Sequence, residues 1–328
     1  MIRAVARCRA DLGGGTLDIW PLGLLFPGAQ TVNVTLDLAV EVTLEAGGSG
    51  YRLRTERGDL AAATAAELAA EPEGALVGLV AEALELPPVA VTLRSASPRG
   101  GGLGASSAVT VALIAAGDRL LGRDPRGEAA TARLARDLEA RMMRLPTGMQ
   151  DHYGAMMGGA LAIVFTPGGE RVRRLAVDLP ELGRHLLLVY SGQSHFSAAT
   201  NWQIIRGCLE GDPDVRGLFH GIAEVAAELP AALESGDWPR VGELVGLEWR
   251  LRRQLAEGVS VPAVESLLQL AGSLGAWGGK ACGAGGGGCV AILLPPERRE
   301  AVSAALAASG GEVLAASPTA QGLTVEGG

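Results

Sequence analysis

Alternation of apolar and polar positions is clearest over 33–45 (NVTLDLAVEVTLE), where β-branched residues recur on one face and predict a strand. Residues 3–11 (RAVARCRAD) carry the same two-residue period, and 51–56 can pair with these strands as a hairpin. The alanine- and leucine-rich text with glutamates between 60 and 84 predicts one or two helices. VAVTLRS (89–95) predicts a strand, followed by a glycine-rich loop and helices over 105–122 and 126–143. Two further strands are expected at 160–165 and 171–177.

The chain then changes character. HLLLVYSG (185–192) predicts a buried strand ending in a polar turn. Helices are expected at 196–209, 216–235, 237–256 and 261–274, separated by Gly-Asp-Pro and Ser-Gly-Asp-Trp-Pro breaks. A strand, glycine loop and strand (278–293), a helix (297–308) and a final strand pair complete the pattern. Strands, then helices, then strands again predict an α+β protein of two lobes divided near 175–185, with domains 1–178 and 179–328. No internal repeat is present.

Composition narrows the function. A net charge of −8, with no basic run longer than a pair, argues against nucleic acid or an anionic membrane as partner. The first residues carry no apolar signal region, and no apolar stretch is long enough to span a bilayer. Cys8, Cys208, Cys282 and Cys289 form no CxxC pair, so reduced thiols in a cytoplasmic protein are expected. The 48 glycines concentrate at 13–15, 100–104 and 283–288, as close backbone approach to a ligand requires. Lys280 is the only lysine and is followed by Ala281, which excludes a Walker A loop.

The run Pro98-Arg99-Gly100-Gly101-Gly102-Leu103-Gly104-Ala105-Ser106-Ser107 lies between a predicted strand and a predicted helix. Its glycines free backbone N–H groups for an anion, and the helix N-terminus adds partial positive charge. Ser106 and Ser107 can cap that helix and offer hydroxyls to a phosphate-bound metal. By spacing alone, Asp151 reads equally as a helix N-cap, Arg9 as a strand-end surface residue and Glu139, with Asp137, as part of an exposed helix face.

PRGGGLGASSA closely resembles the second motif of the GHMP kinase family, which includes galactokinase, homoserine kinase and mevalonate kinase. RADLGGGTLD (9–18) resembles its N-terminal motif, PTGMQDHYGAMMGG (146–159) the segment with the catalytic aspartate, and KACGAGGGGCV (280–290) the C-terminal glycine loop. The four motifs occur in the family's order, and within the family the likeness leans to heptose 7-phosphate kinases and fucokinases. The resemblance implies an N-terminal lobe like domain 2 of ribosomal protein S5 and a ferredoxin-like C-terminal lobe, with ATP and Mg²⁺ as cofactors. A small-molecule sugar or sugar phosphate would be the acceptor, phosphorylated on its anomeric hydroxyl by a monomer or homodimer.

Residue by residue, the resemblance makes Asp151 the catalytic residue, which either takes the acceptor's proton or only orients the hydroxyl and offsets charge, and Arg9 its cationic partner. It gives residues 98–107 to the nucleotide, and Ser106 with Glu139 to the metal. The acceptor would meet Asp18, Gly14, Gly15, Gln150, Ser191, Gly192, Gly283, Gly285 and Gly286, with Ser194 on the same stretch as Ser191. Leu17 separates Thr16 from Asp18 where related kinases read Thr-Asp directly. His152 flanks the acid, and Lys280 either approaches the site or only ends a strand. The uncharged stretch IWPLGLLFPGAQ (Trp20, Leu22, Leu24, Phe26) is either an apolar pocket wall or a lobe-packing loop. A mevalonate-pathway or amino-alcohol kinase, or an inactive sugar- or ATP-binding regulator, is the alternative.

Overall fold

The computed structural model describes residues 1–193 and 198–328. The chain opens with β1 (Ile2–Gly13), a short helix α1 (Leu22–Leu25), β2 (Gln30–Ala46), β3 (Tyr51–Thr55) and β4 (Gly58–Ala62). Helices α2 (Ala65–Ala70) and α3 (Ala75–Leu84) lead to β5 (Val89–Ser95). Then come α4 (Ala105–Leu120), α5 (Glu128–Met143), α6 (Gln150–Met157), β6 (Ala160–Thr166) and β7 (Gly169–Arg174).

Strand β2 is the spine of an eight-stranded sheet. One of its edges pairs with β1 throughout, while the other is shared by β6 over residues 30–34 and β5 over 40–46. Residues 30–36 are buried on both faces, and alternation begins only at Asp37. The reason is cover on both sides: α6 and α9 meet the first half of the strand, whereas helix α4 lies against one face. The predicted hairpin partner differs. Strand β3 pairs antiparallel with β4 and parallel with β5, because residues 58–62 form a strand where helix was expected.

The second lobe comprises α7 (Leu179–His185), β8 (Leu186–Tyr190), α8 (Ala198–Glu210), α9 (Pro213–Ser235), α10 (Trp238–Arg252) and α11 (Pro262–Ser273). It continues with β9 (Gly278–Ala281), β10 (Cys289–Leu293), α12 (Arg299–Ala308) and β11 (Glu312–Val313). Its antiparallel sheet has the order β11-β8-β10-β9, a split arrangement in which the two chain-adjacent strands β9 and β10 lie at one side. The last strand, β12 (Thr324–Gly327), does not pair with β11 as the sequence suggested. It returns to the first sheet and pairs with β1. No helix among the described residues is long and apolar enough to cross a membrane.

Candidate active site

A cavity of about 290 Å³ opens between the lobes, lined by Arg9, Thr16, Asp18, Gln150 and Asp151 from one and by Trp202, Gly283 and Gly285 from the other. Arg9 leaves β1 with its backbone N–H on the Leu103 carbonyl. Its guanidinium grips Asp151 Oδ1 through Nε at 2.8 Å and Nη2 at 2.6 Å, while Nη1 donates to the Gly102 carbonyl at 2.6 Å. Burial works against this charge, but Asp151 and Asp11 outweigh it and hold the guanidinium protonated. Asp151 Oδ2 makes no hydrogen bond among the described residues, and about a quarter of its side chain is open to the cavity.

Asp18 lines the same cavity. Its Oδ2 accepts the N–H groups of Met149 (2.8 Å) and Gln150 (3.1 Å), so it caps α6, the helix whose first turn carries Asp151. Burial and the Asp151 carboxylate push the Asp18 carboxyl up to about 6. Gly148 must be glycine for this contact, since a Cβ there would collide with the Asp18 carboxylate. The N-cap position of α6 is Met149 rather than Asp151, so the capping reading of Asp151 gives way to a first-turn carboxylate facing the cavity.

The phosphate-loop reading fits the backbone. Gly100, Gly102 and Gly104 have φ of 62°, 70° and 73°, and a Cβ at Gly102 would strike the Cys282 carbonyl. The loop's carbonyls are engaged by Arg9 and by the Cys289 N–H, which bonds Gly101 at 2.8 Å. Among the described residues no backbone acceptor takes the N–H groups of Gly102 to Ser107, and they crown the N-terminus of α4. Neither Ser106 nor Ser107 caps that helix; Gly104 is the N-cap, and both serines lie in the first turn. Gly283 packs 3.1 Å, measured from its would-be Cβ, from the Gly102 carbonyl, so the two glycine loops face each other.

Other expected residues are placed differently. Glu139 is buried, with Oε2 accepting from Ser107 Oγ (3.0 Å) and Oε1 from Thr110 Oγ1 (2.8 Å); Ser106 is exposed and makes no contact with it. Burial alone would raise the Glu139 pKa, but His152, 3.4 Å away, and the two hydroxyls outweigh it and keep the carboxyl ionised. An ionised carboxylate beside serine and threonine hydroxyls is a hard, all-oxygen donor set that fits Mg²⁺, which takes few protein ligands and completes its shell with phosphate and water. Ser191 supports the glycine loop from outside by donating its N–H to the Gly288 carbonyl at 3.0 Å, and neither it nor Gly192 reaches the cavity wall. Gly14 and Gly286 also stand behind that wall. Ser194 lies outside the described residues. The apolar stretch divides between the two readings: Ile19 lines the cavity with Trp202 and Ile205, Leu22 and Phe26 are core, and Trp20 and Leu24 are exposed.

Sequence reasoning passed over a cluster of buried charges behind the cavity. Lys280 Nζ pairs with Asp11 Oδ2 at 2.8 Å and stands 3.1 Å from Glu248 Oε2. Glu248 Oε1 accepts from Arg252 Nε (2.8 Å) and Nη2 (2.6 Å). All four side chains are 0–2% exposed. The one visible signal was the sole lysine within KACGAG; Glu248 and Arg252 offer only the i,i+4 spacing common to helical ion pairs.

The sequence and the fold that carry this geometry are similar to those of known proteins. Residues 60–159 match the model described as GHMP kinases N terminal domain, and 229–312 match GHMP kinases C terminal. The mevalonate kinase of Methanothermobacter thermautotrophicus is 30% identical over 223 residues, 65% of this chain and 68% of that one. The chain belongs to the GHMP kinase family. A Campylobacter jejuni D-glycero-alpha-D-manno-heptose 7-phosphate kinase is 30% identical over 196 residues, 57% of this GHMP kinase and 56% of that protein's length. In fold it resembles a D-glycero-D-manno-heptose 1-phosphate kinase structure from Bacteroides thetaiotaomicron, with TM-score 0.77 and 23% identity over 100% of this chain and 99% of that one.

Proposed function

We propose that this GHMP kinase transfers the γ-phosphoryl group of ATP to a sugar hydroxyl, at the anomeric carbon, with Asp151 as the group that handles the acceptor's proton. The observation carrying this is the free Oδ2 of Asp151, held in the cavity by an Arg9 that also grips the phosphate loop at Gly102. Arg9 thereby ties the acid to the loop where the transferring group sits. In the reaction the acceptor hydroxyl donates a hydrogen bond to Asp151 Oδ2 and gives up its proton there. Its oxygen then bonds the γ-phosphorus as the bond to the ADP oxygen breaks. Positive charge on Arg9 and the free N–H groups of 102–107 offset charge building on the phosphoryl oxygens. Glu139 with Ser106 or Ser107 would hold Mg²⁺, which supplies further neutralisation of the phosphates.

An uncharged acceptor is favoured over a carboxylate such as mevalonate. Among the described residues lining the cavity, Arg9 is the one cation and is committed to Asp151, while Asp18 and Asp151 both repel an anion. Asp18 is suited to accept from sugar hydroxyls. The test is ADP release from Mg·ATP with sugars, sugar phosphates and mevalonate, together with anomeric analysis of the product. Asp151→Asn is expected to lower kcat by at least ~10²-fold while ATP binding, measured by calorimetry, is unchanged. Full turnover by Asp151→Asn removes the assigned role. ATP binding without turnover of any acceptor turns the reading to a binding regulator.

A further inference from the structure

The buried cluster of Asp11, Glu248, Arg252 and Lys280 takes no part in the chemistry above, yet it fastens one wall of the cavity. Asp11 lies on β1, Glu248 and Arg252 on α10, and Lys280 on β9, so the cluster spans both lobes. Arg252 reaches out of it with two donors: Nη2 to the Gly15 carbonyl at 2.6 Å and Nη1 to Thr16 Oγ1 at 3.1 Å. Gly15 and Thr16 both line the cavity. Thr16 has φ of 72°, a left-handed conformation that a β-branched residue keeps only when its surroundings impose it. The Arg252 guanidinium is such an imposition. Gly15 is packed from the same side, since a Cβ there would lie 2.8 Å from Asp11 Oδ2 and 3.3 Å from Arg252 Nη2.

The turn held in this way delivers Asp18. Leu17 N–H bonds the Gly14 carbonyl at 3.1 Å and Ile19 N–H the Thr16 carbonyl at 3.0 Å, so Thr16 and Asp18 move as one piece. Asp18 in turn caps α6 and sets the start of the helix that carries Asp151. We propose that Arg252, oriented by Glu248 and Lys280, is a positioning residue through which the second lobe sets the acceptor-binding turn 14–18, without acting on the nucleotide. The inference rests on the reading of this cavity as the acceptor site. Two features separate it from mere stability. Among the described residues the cluster hydrogen-bonds the turn and not the loop 98–107, and a buried ionic set is a poor source of net stability.

Removing Arg252 alone leaves two buried carboxylates, Asp11 and Glu248, to the single Lys280, so the test uses Glu248→Gln/Arg252→Met beside Arg252→Lys. Amide hydrogen exchange is measured first, since it needs no substrate. The double variant is expected to exchange the Leu17 and Ile19 amides at least ~10-fold faster, with amides of the α4 interior unchanged. In turnover, acceptor KM is expected to rise at least ~10-fold, with Arg252→Lys intermediate and ATP Kd within about twofold of the parent. Unchanged exchange at Leu17 and Ile19 overturns the proposal whatever the acceptor proves to be. So does a parallel loss of ATP and acceptor affinity, which a general loosening of the fold would give. Faster exchange with an unaltered acceptor KM keeps the clasp but rejects this cavity wall as the acceptor's.

Discussion

At Asp18 two demands meet in one side chain. In the proposed reaction it would present a charged oxygen to the acceptor, yet burial and a second carboxylate push its pKa up to about 6. Acceptor kcat/KM is therefore expected to fall as pH drops below about 6, and Asp18→Asn, uncharged at every pH, should lose that limb along with most of the acceptor affinity. Stability runs the other way. The folded carboxyl holds its proton up to about 6 whereas the unfolded one releases it near 3.8, so folding weakens as pH rises through that window. The penalty is fully present above it, on the order of 3 kcal/mol as an upper bound. Asn keeps an oxygen for the Met149 and Gln150 amides. Its Tm should exceed the parent's at pH 8, with the gap closing toward pH 4; a constant gap would mean that Asp18 is ionised throughout.

The elements that bear the chemistry are joined by contacts too close for side chains. A methyl group at Gly102 meets the Cys282 carbonyl and needs a backbone of φ 70°. Gly102→Ala is therefore expected to separate the two glycine loops, weakening ATP binding at least ~10-fold and costing about 1–3 kcal/mol of stability. An unchanged ATP Kd by calorimetry would show that the loop tolerates the shift. Such loops are legible in a sequence because glycine is chosen there for backbone reasons. The second half of β2 and the start of β5 were legible because one face of each is covered and the alternation survives in the text, whereas β1 alternates in sequence although nearly all of it is buried. Helix α6 was not. It has eight residues and its capping acid, Asp18, lies 131 positions from Met149. The parallel pairing of β3 with β5, and the partnership of Glu139 with Ser107 instead of Ser106, likewise depend on neighbours distant in the chain.

On the scale of the whole molecule the two sheets do not stand apart. Strand β12 returns from the second lobe to β1, Gln30 of β2 bonds the Ala226 carbonyl of α9 at 2.8 Å, and Asp11 meets Lys280 between lobes. The last of these has a practical consequence. With one lysine in the chain and that side chain wholly buried, the folded protein offers a lysine-specific endoproteinase no accessible target. Each cut, yielding pieces 1–280 and 281–328, records a single opening of the molecule at its centre. The cleavage rate is expected to follow the population of the opened state and to rise steeply with urea, as the global transition does. Rapid cleavage in plain buffer would reveal lobes that part on their own. Scarcity of one residue type thus makes this protein its own gauge: a single scission, read on a gel, counts how often the two halves let go.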